Sequence, residues 1–553
     1  LLALRRAGKL DRVKMLLLTN ITFDGITYDP ERVMEEVLAI KPDMVFVWDE
    51  AWFAYGRFHP TLRRRTAMDA AARLEERLKS PEYRARYEAW SAEFAGGSEA
   101  GQADAADDRW IASRLLPDPD RATVRVYATQ STHKTLTSLR QGSMIHVRDQ
   151  EFDQKVSEAF EEAYMTHTST SPNYPILASL DMGRRQVELE GYRLVQESVE
   201  IAMTLRERIH SDPLLQRYFR VLGPRDMVEE AYRPSGLEFY FDPDKGWSEL
   251  SGAWDTDEFT LDPTRITLHV GRTGLDGNTF KRMLMDRFSI QVNKTSRNTV
   301  LFLIHIGTTP ATIAHLVKVL TTLARELDEQ LAHQSEAAAR LHRERVSSLT
   351  EDLPPLPNFS RFHPAFLSEP DSETPEGDMR GAFFLAYDAE LCDHLKLGPE
   401  LVRQVADGKE LVSASFVTPY PPGFPVLVPG QVISREILAY LLALDVKEIH
   451  GYRPEHGLRI FRESVVEARA LEHRRRAEEA RLVAGDRGRA GDATPRTSGA
   501  GRAGEGAPRA RRADRRPGAR GVELGLSPNS GSGTAPNDAG TNAGDELTQS
   551  QGS

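Results

Sequence analysis

The order of apolar runs in the first fifty residues constrains this chain more than any other feature. Residues 13–18 read as a buried strand and residues 19–25 as the loop at its carboxyl end. Residues 30–40 carry Val33, Val37 and Leu38 at helical spacing, with Pro30 suited to a first helical turn. Residues 43–48 form a second apolar run, which ends in Asp49-Glu50-Ala51-Trp52. Strand, loop, helix, strand is the order of a parallel sheet with crossover helices. A further run, Val124-Arg125-Val126-Tyr127-Ala128, ends in hydroxyl-bearing residues and leads directly into Ser131-Thr132-His133-Lys134. Another starts within about ten residues, at Gln141-Gly142-Ser143-Met144-Ile145-His146-Val147. Ligand sites in open α/β sheets lie beyond the carboxyl ends of the strands. Asp49 and Lys134 both fall there.

The remaining chain divides by composition and pattern. Residues 62–120 are helical and heavily charged, passing through Gly96-Gly97-Ser98 and an acidic Ala/Asp patch, and read as a solvated surface insertion. Thr168-Ser169-Thr170-Ser171 before Pro172 suits either a helix cap or hydrogen-bond donation to a phosphate. An amphipathic helix over about 186–209 leads into a second unit. That unit has strands at 265–270, 290–294 and 299–306, a helix at about 278–286 and a long helix at about 310–342. Pro354-Pro355-Leu356-Pro357 marks the next boundary, with strands expected at 383–387, 411–417 and 425–428. From about Arg474 the sequence is Gly, Ala, Arg, Pro and Ser, too poor in large apolar residues to offset its ordering entropy, and is expected to be disordered. The domain expectation is therefore 1–215, 216–345, 346–473 and a tail at 474–553.

Several classes are disfavoured. A net charge of −11 argues against a nucleic-acid surface. No apolar stretch is long enough to span a bilayer, which argues against membrane insertion. Cys392 stands alone, so neither a disulfide framework nor a thiolate metal cluster is expected, and a reducing cytoplasm fits.

A lysine at a strand end, partly desolvated beside anion-binding groups, is what Schiff-base chemistry needs. Pyridoxal 5'-phosphate requires that amine, an acid to keep its ring nitrogen protonated and donors for its phosphate. Lys134 can be the amine and Asp49 the ring partner, by charge pairing. Ser131 and His133 can donate to the phosphate, and Ala51 is small enough for a ring to lie flat on the strand end. Each assignment alone is weakly specific; their joint placement on one sheet is much more so.

Those residues resemble the bacterial ornithine/lysine/arginine decarboxylases of the aspartate-aminotransferase fold. The likeness rests on Asp49-Glu50-Ala51-Trp52-Phe53-Ala54-Tyr55-Gly56, Ser131-Thr132-His133-Lys134, and His167-Thr168-Ser169-Thr170-Ser171-Pro172 with Tyr174. It extends to Thr19-Asn20 with Thr22-Phe23-Asp24-Gly25, and to Thr418-Pro419-Tyr420-Pro421-Pro422-Gly423-Phe424-Pro425 with Pro429-Gly430. The resemblance implies an α/β fold: a fold type I pyridoxal-phosphate large domain with a mostly parallel sheet, a small α/β domain and a C-terminal α+β domain. It implies α-decarboxylation of arginine, lysine or ornithine, with arginine slightly preferred, to the amine and CO₂.

Lys134 would carry the cofactor, Asp49 pair with its ring nitrogen, and Ser131 and His133 hold its phosphate. Thr168, Ser169 and Thr170 would reach the phosphate of a neighbouring subunit in a homodimer or an oligomer of dimers. Trp52 would shape the pocket wall, core packing being its alternative. Where familiar members read Glu-Lys, this chain reads Asn293-Lys294, so a charge thought to recognise the substrate's distal cation is missing at Asn293. Members also carry an upstream part with a Gly/Ser/Thr phosphate turn and a ring-stacking histidine. The chain is accordingly expected to be the fragment of an enzyme truncated at its N-terminus. Two further readings stay open: an incompetent fragment serving only assembly, and another fold type I enzyme such as an aminotransferase.

Overall fold

The computed structural model describes residues 1–95, 112–351, 361–367, 376–420, 423–443 and 448–490. Its first sheet contains β1 (Met15–Thr19), β3 (Val45–Asp49), β4 (Arg125–Ser131) and β5 (Ser143–Asp149), in the spatial order β1-β3-β4-β5. A short β2 (Ile26–Tyr28) lies between β1 and β3 in sequence and pairs instead with Phe259–Leu261. β1, β3 and β4 run parallel, with Thr19 opposite Asp49 and Asp49 opposite Thr129, and β5 closes the far edge antiparallel to β4. The expected helix after β2 spans Pro30–Ile40, capped by Asp29, whose side chain accepts the Glu31 N–H.

The segment 62–120 departs from the surface reading over its first half. Helix Ala67–Leu78 buries Ala67, Ala70, Ala71, Leu74 and Leu78 in the core beneath Phe46, Trp48, Val126 and Ala128. Its charged residues occupy the opposite face, where Arg73 and Arg77 pair with Glu31 and Arg77 also with Glu35. The charges hid the apolar stripe because alanine contributes little to a hydrophobicity pattern while packing closely against a sheet. This helix is the crossover between β3 and β4. Gly96-Gly97-Ser98 and the acidic patch after it lie outside the described residues.

The long helix begins at Tyr174, twelve residues before the expected start, and runs to Ser211. Asn173 caps it by accepting the Ile176 N–H; the preceding hydroxyl residues do not. Its last turns, Ala202, Leu205 and Ile209, join the core of a second sheet made of Lys294–Thr295, Thr299–Leu303, Arg265–His269 and Arg220–Val221. The strand expected at 290–294 is thus a two-residue strand beginning at Lys294. The helix expected over 310–342 is two helices, Pro310–His333 and Glu336–Thr350. Ser335 restarts it by accepting the Ala338 N–H, with extended backbone at Gln334.

In the last part, residues 383–387 are not a strand: Phe383, Phe384 and Leu385 end the helix Met379–Leu385, which Asp378 caps. Residues 411–417 and 425–428 contribute only isolated bridges, such as Val417 with Leu427. The strands there are Cys392–Leu395, Tyr452–Arg453 and Gly457–Phe461 in one sheet, and Thr418–Tyr420 with Glu448–His450 in another. Disorder from Arg474 is also corrected near its start, since a helix spans Glu463–Ala490. Arg, Glu and Ala are strong helix formers, and the Arg476–Glu472 pair is spaced to support a helix. The remainder of the expected tail, and the prolines at 354–357, lie outside the described residues. Residues 1–486 form one compact unit.

Candidate functional site

The parallel register brings Asp49 and the Ser131–Lys134 turn to neighbouring strand ends, because β3 and β4 stop within two residues of one another. Asp49 is exposed, and its Oδ1 accepts the N–H of Ala51 at 2.9 Å, an Asx turn that fixes the carboxylate at the strand tip. Thr19 Oγ1 donates to the Asp49 carbonyl at 2.9 Å from the end of β1. Lys134 is half-buried, with Nζ 4.8 Å from the centre of the Trp52 ring, a cation–π contact. Burial lowers the Lys134 pKa below the ordinary lysine value, and the Asp49 charge opposes that shift. The amine and the carboxylate therefore sense each other.

The turn after β4 is internally braced. His133 Nδ1 lies 3.0 Å from the Gly142 carbonyl, which can only accept, so Nδ1 carries a hydrogen. Donation from Nε2 to a phosphate then requires the doubly protonated ring. Ser138 Oγ donates to Thr132 Oγ1 at 2.7 Å, tightening the same turn. Ser131, at the last position of β4, pairs with Ser143.

Not every expected residue joins this group. Thr168, Ser169 and Thr170 are exposed, and the hydrogen bonds of Thr168 and Ser169 are local, to Tyr164 and Ser171. Asn293 is exposed, and its backbone N–H donates to Leu301. Its neighbour Lys294 reaches across instead, pairing with Asp24 at 2.5 Å and lying 5.9 Å from the Phe23 ring. Phe23 meets Trp52 edge-on at 5.2 Å. A continuous line of contacts thus runs from Lys134 through Trp52 and Phe23 to Lys294 of the second sheet.

Glu50, Asn20, Asp24 and Lys294 stand within the sequence motifs without a role there, and Arg265 stands in none of them. Arg265 is buried, donates from Nη2 to the Trp52 carbonyl at 2.7 Å and lies 5.9 Å from the Trp52 ring. Gly25 makes room for it: its φ is +100°, and a Cβ there would lie 2.5 Å from Arg265 Cγ. A glycine directly after Asp24 in the β1 loop was the one available signal.

Two family models match this chain: the major domain of the Orn/Lys/Arg decarboxylases over residues 111–312, and the C-terminal domain of the same family over 398–463. Both matched segments are those of the Orn/Lys/Arg decarboxylase family. Lys134 lies inside the first matched segment and Asp49 before it.

Within the family, the constitutive lysine decarboxylase of Escherichia coli (strain K12) is 26% identical over 82% of this chain and 57% of that protein. The arginine decarboxylase of Bacillus subtilis (strain 168) is 25% identical over 57% of this chain and 49% of that protein. The solved lysine decarboxylase A from Pseudomonas aeruginosa superposes with a TM-score of 0.52 at 22% identity, covering 82% of this chain and 60% of that one. That likeness shows the shared fold, a fold type I α/β architecture. The chain spans about half the length of the curated relatives it matches.

Proposed function

We propose that this chain carries the pyridoxal-phosphate-binding lysine and the substrate-shaping domains of a decarboxylase acting on a basic amino acid: lysine, arginine or ornithine. The observation that carries the reading is the placement of the half-buried Lys134 and of Asp49 beyond adjoining ends of two parallel strands. The chemistry of the groups present fits the cofactor. Lys134 offers an amine with a lowered pKa, Asp49 a carboxylate with Oδ2 left over after Oδ1 binds Ala51, and Ser131 and His133 offer phosphate donors. When bound, pyridoxal phosphate supplies the electron sink for the pair left behind as CO₂ departs.

This chain's own residues do the rest. Lys134 Nζ would be the amine that holds the cofactor. Asp49 would face the ring nitrogen, where a carboxylate favours the protonated ring by charge pairing. Trp52 covers one side of the Lys134 amine and shields it from water. Thr168, Ser169 and Thr170, being exposed, are available to the phosphate of a second subunit, so the proposal includes a homodimer or an oligomer of dimers. It also includes the division into domains at 1–215, 216–345 and 346–473, and a cytoplasmic setting, which the single cysteine supports. No helix among the described residues is long and apolar enough to cross a membrane.

The test is direct. Protein mixed with pyridoxal phosphate should turn yellow, and borohydride should fix the cofactor on Lys134, as read by peptide mapping; Lys134→Ala should abolish both. Release of CO₂ from lysine, arginine and ornithine in parallel identifies the substrate. Formation of keto acid without CO₂ would overturn decarboxylation in favour of transamination. Absence of any reducible adduct would leave assembly as the role of the chain.

A further inference from the structure

One buried carboxylate beneath the site has no part in the chemistry above. Glu50 follows Asp49, and where Asp49 is exposed the Glu50 side chain is fully buried. Three N–H donors converge on it from three elements. Asn20 Nδ2, in the loop after β1, donates to Oε1 at 2.8 Å. The backbone N–H of Ala67, at the start of the crossover helix, donates to the same oxygen at 2.6 Å. Gln130 Nε2, near the end of β4, donates to Oε2 at 2.7 Å. Gln130 Oε1 in turn meets His146 Nε2 of β5 at 3.1 Å, so the group touches or reaches every strand of the sheet.

The location of this cluster sets its role. The parallel register of β1, β3 and β4 ends at Thr19, Asp49 and Thr129, while β4 stays paired with β5 through Ser131. Glu50 begins where the parallel ladder stops, its N–H donating to the Thr129 carbonyl at 2.9 Å. The crossover helix depends on it too, since its N-cap residue Thr66 makes no side-chain cap bond and Glu50 supplies the missing acceptor. Burying a carboxylate costs several kcal/mol before its partners compensate, and an apolar side chain would fill the space at less cost. A polar cluster is therefore a poor choice for stability alone and a good one for fixing geometry. Its charged surroundings are limited: Asp49 alongside, and His146 through Gln130. Burial, with Asp49 adding to it, pushes the Glu50 carboxyl up to about 7, against the pull of the Ala67 and Gln130 donors. Every bonded partner is an N–H group, which suits the ionised form.

We propose that Glu50 is a positioning residue: its carboxylate, gripped by Asn20, Gln130 and the Ala67 N–H, fixes Asp49 and Lys134 relative to each other. The inference rests on the function proposed above, and its test separates the two. In the full chain without cofactor, the pH dependence of reductive methylation of Lys134 is read by mass spectrometry, with exposed Lys245 as the internal reference. Glu50→Gln should release Asp49 from Lys134, so the Lys134 midpoint should fall further while that of Lys245 stays put. Gln130→Met, which removes one donor and the link to His146, should shift Lys134 the same way by less.

With pyridoxal phosphate added, Glu50→Gln should bind it about tenfold more weakly, equivalent to about 1.4 kcal/mol. An unchanged Lys134 midpoint in both variants overturns the proposal. If Glu50→Gln fails to fold, as judged by far-UV circular dichroism, Gln130→Met decides: a lower Tm with an unmoved Lys134 midpoint means Glu50 serves structure only. If the unsubstituted chain traps no cofactor, the proposed function fails while the methylation midpoints still decide the role of Glu50.

Discussion

At the scale of single residues, charge and burial act on Lys134 in opposite senses. Burial lowers its pKa and Asp49 raises it, so the amine gains neutral fraction only as far as Asp49 permits. Asp49→Asn removes the opposing charge and should move the Lys134 titration midpoint further down, measurable by pH-dependent methylation. The same variant should weaken cofactor capture, because the ring nitrogen loses its anionic partner. An upward movement of the midpoint would refute the pairing. Gly25 is a second residue whose identity is set by geometry. Its backbone lies in the left-handed region and its missing Cβ is filled by Arg265. Gly25→Ala should cost more than about 1 kcal/mol in urea unfolding. Both residues were visible as motif members in the sequence; that Arg265, 240 positions later, presses on Gly25 was not.

At the scale of elements, the crossover helix Ala67–Leu78 shows what composition conceals. Its sequence carries Asp, Arg and Glu at high density, yet one face is closed against the sheet. Leu74 is fully buried there, so Leu74→Ala should destabilise the protein by roughly 2–5 kcal/mol, whereas a surface insertion would lose at most about 0.5 kcal/mol. Denaturant unfolding distinguishes these outcomes directly. The strands were legible to within about three residues where an apolar run ended in a polar turn, as at Asp49 and Ser131. Failures clustered where short apolar runs allow either period. Phe383-Phe384-Leu385 reads as a strand by content and is helical because Asp378 caps the turn before it. The division of residues 310–350 into two helices turned on one side chain, Ser335, supplying a cap.

At the scale of the whole molecule, partly buried histidines set the acid response. His269 is pushed down to about 4, chiefly by burial and then by Arg220 and Arg272. His59, His146 and His210 are also lowered, with burial the leading cause. A histidine with a depressed folded pKa binds its proton more readily when unfolded. The stability it contributes is complete above its unfolded value of about 6.5 and is lost as pH falls towards the folded value. Glu50, raised to about 7, has the opposite sign: its contribution is complete below about 4.3 and declines as pH rises to its folded value. The histidines outnumber it, so urea unfolding free energy should fall between about pH 7 and about pH 4. His269→Gln should flatten that slope; an unchanged slope would show that His269 does not contribute.

The sequence by itself determined the parallel-sheet architecture, the strand ends beside which Asp49 and Lys134 lie, and the family resemblance. Those features depend on local periodicity and on residues close together in the chain. Only the tertiary structure decided that Lys294 reaches Asp24, that Arg265 braces Trp52, and that Glu50 draws Asn20, Ala67 and Gln130 together. Each of these contacts joins residues 17 to 270 positions apart. Whether such groups meet depends on the distance and orientation produced by packing whole elements, which no local pattern encodes.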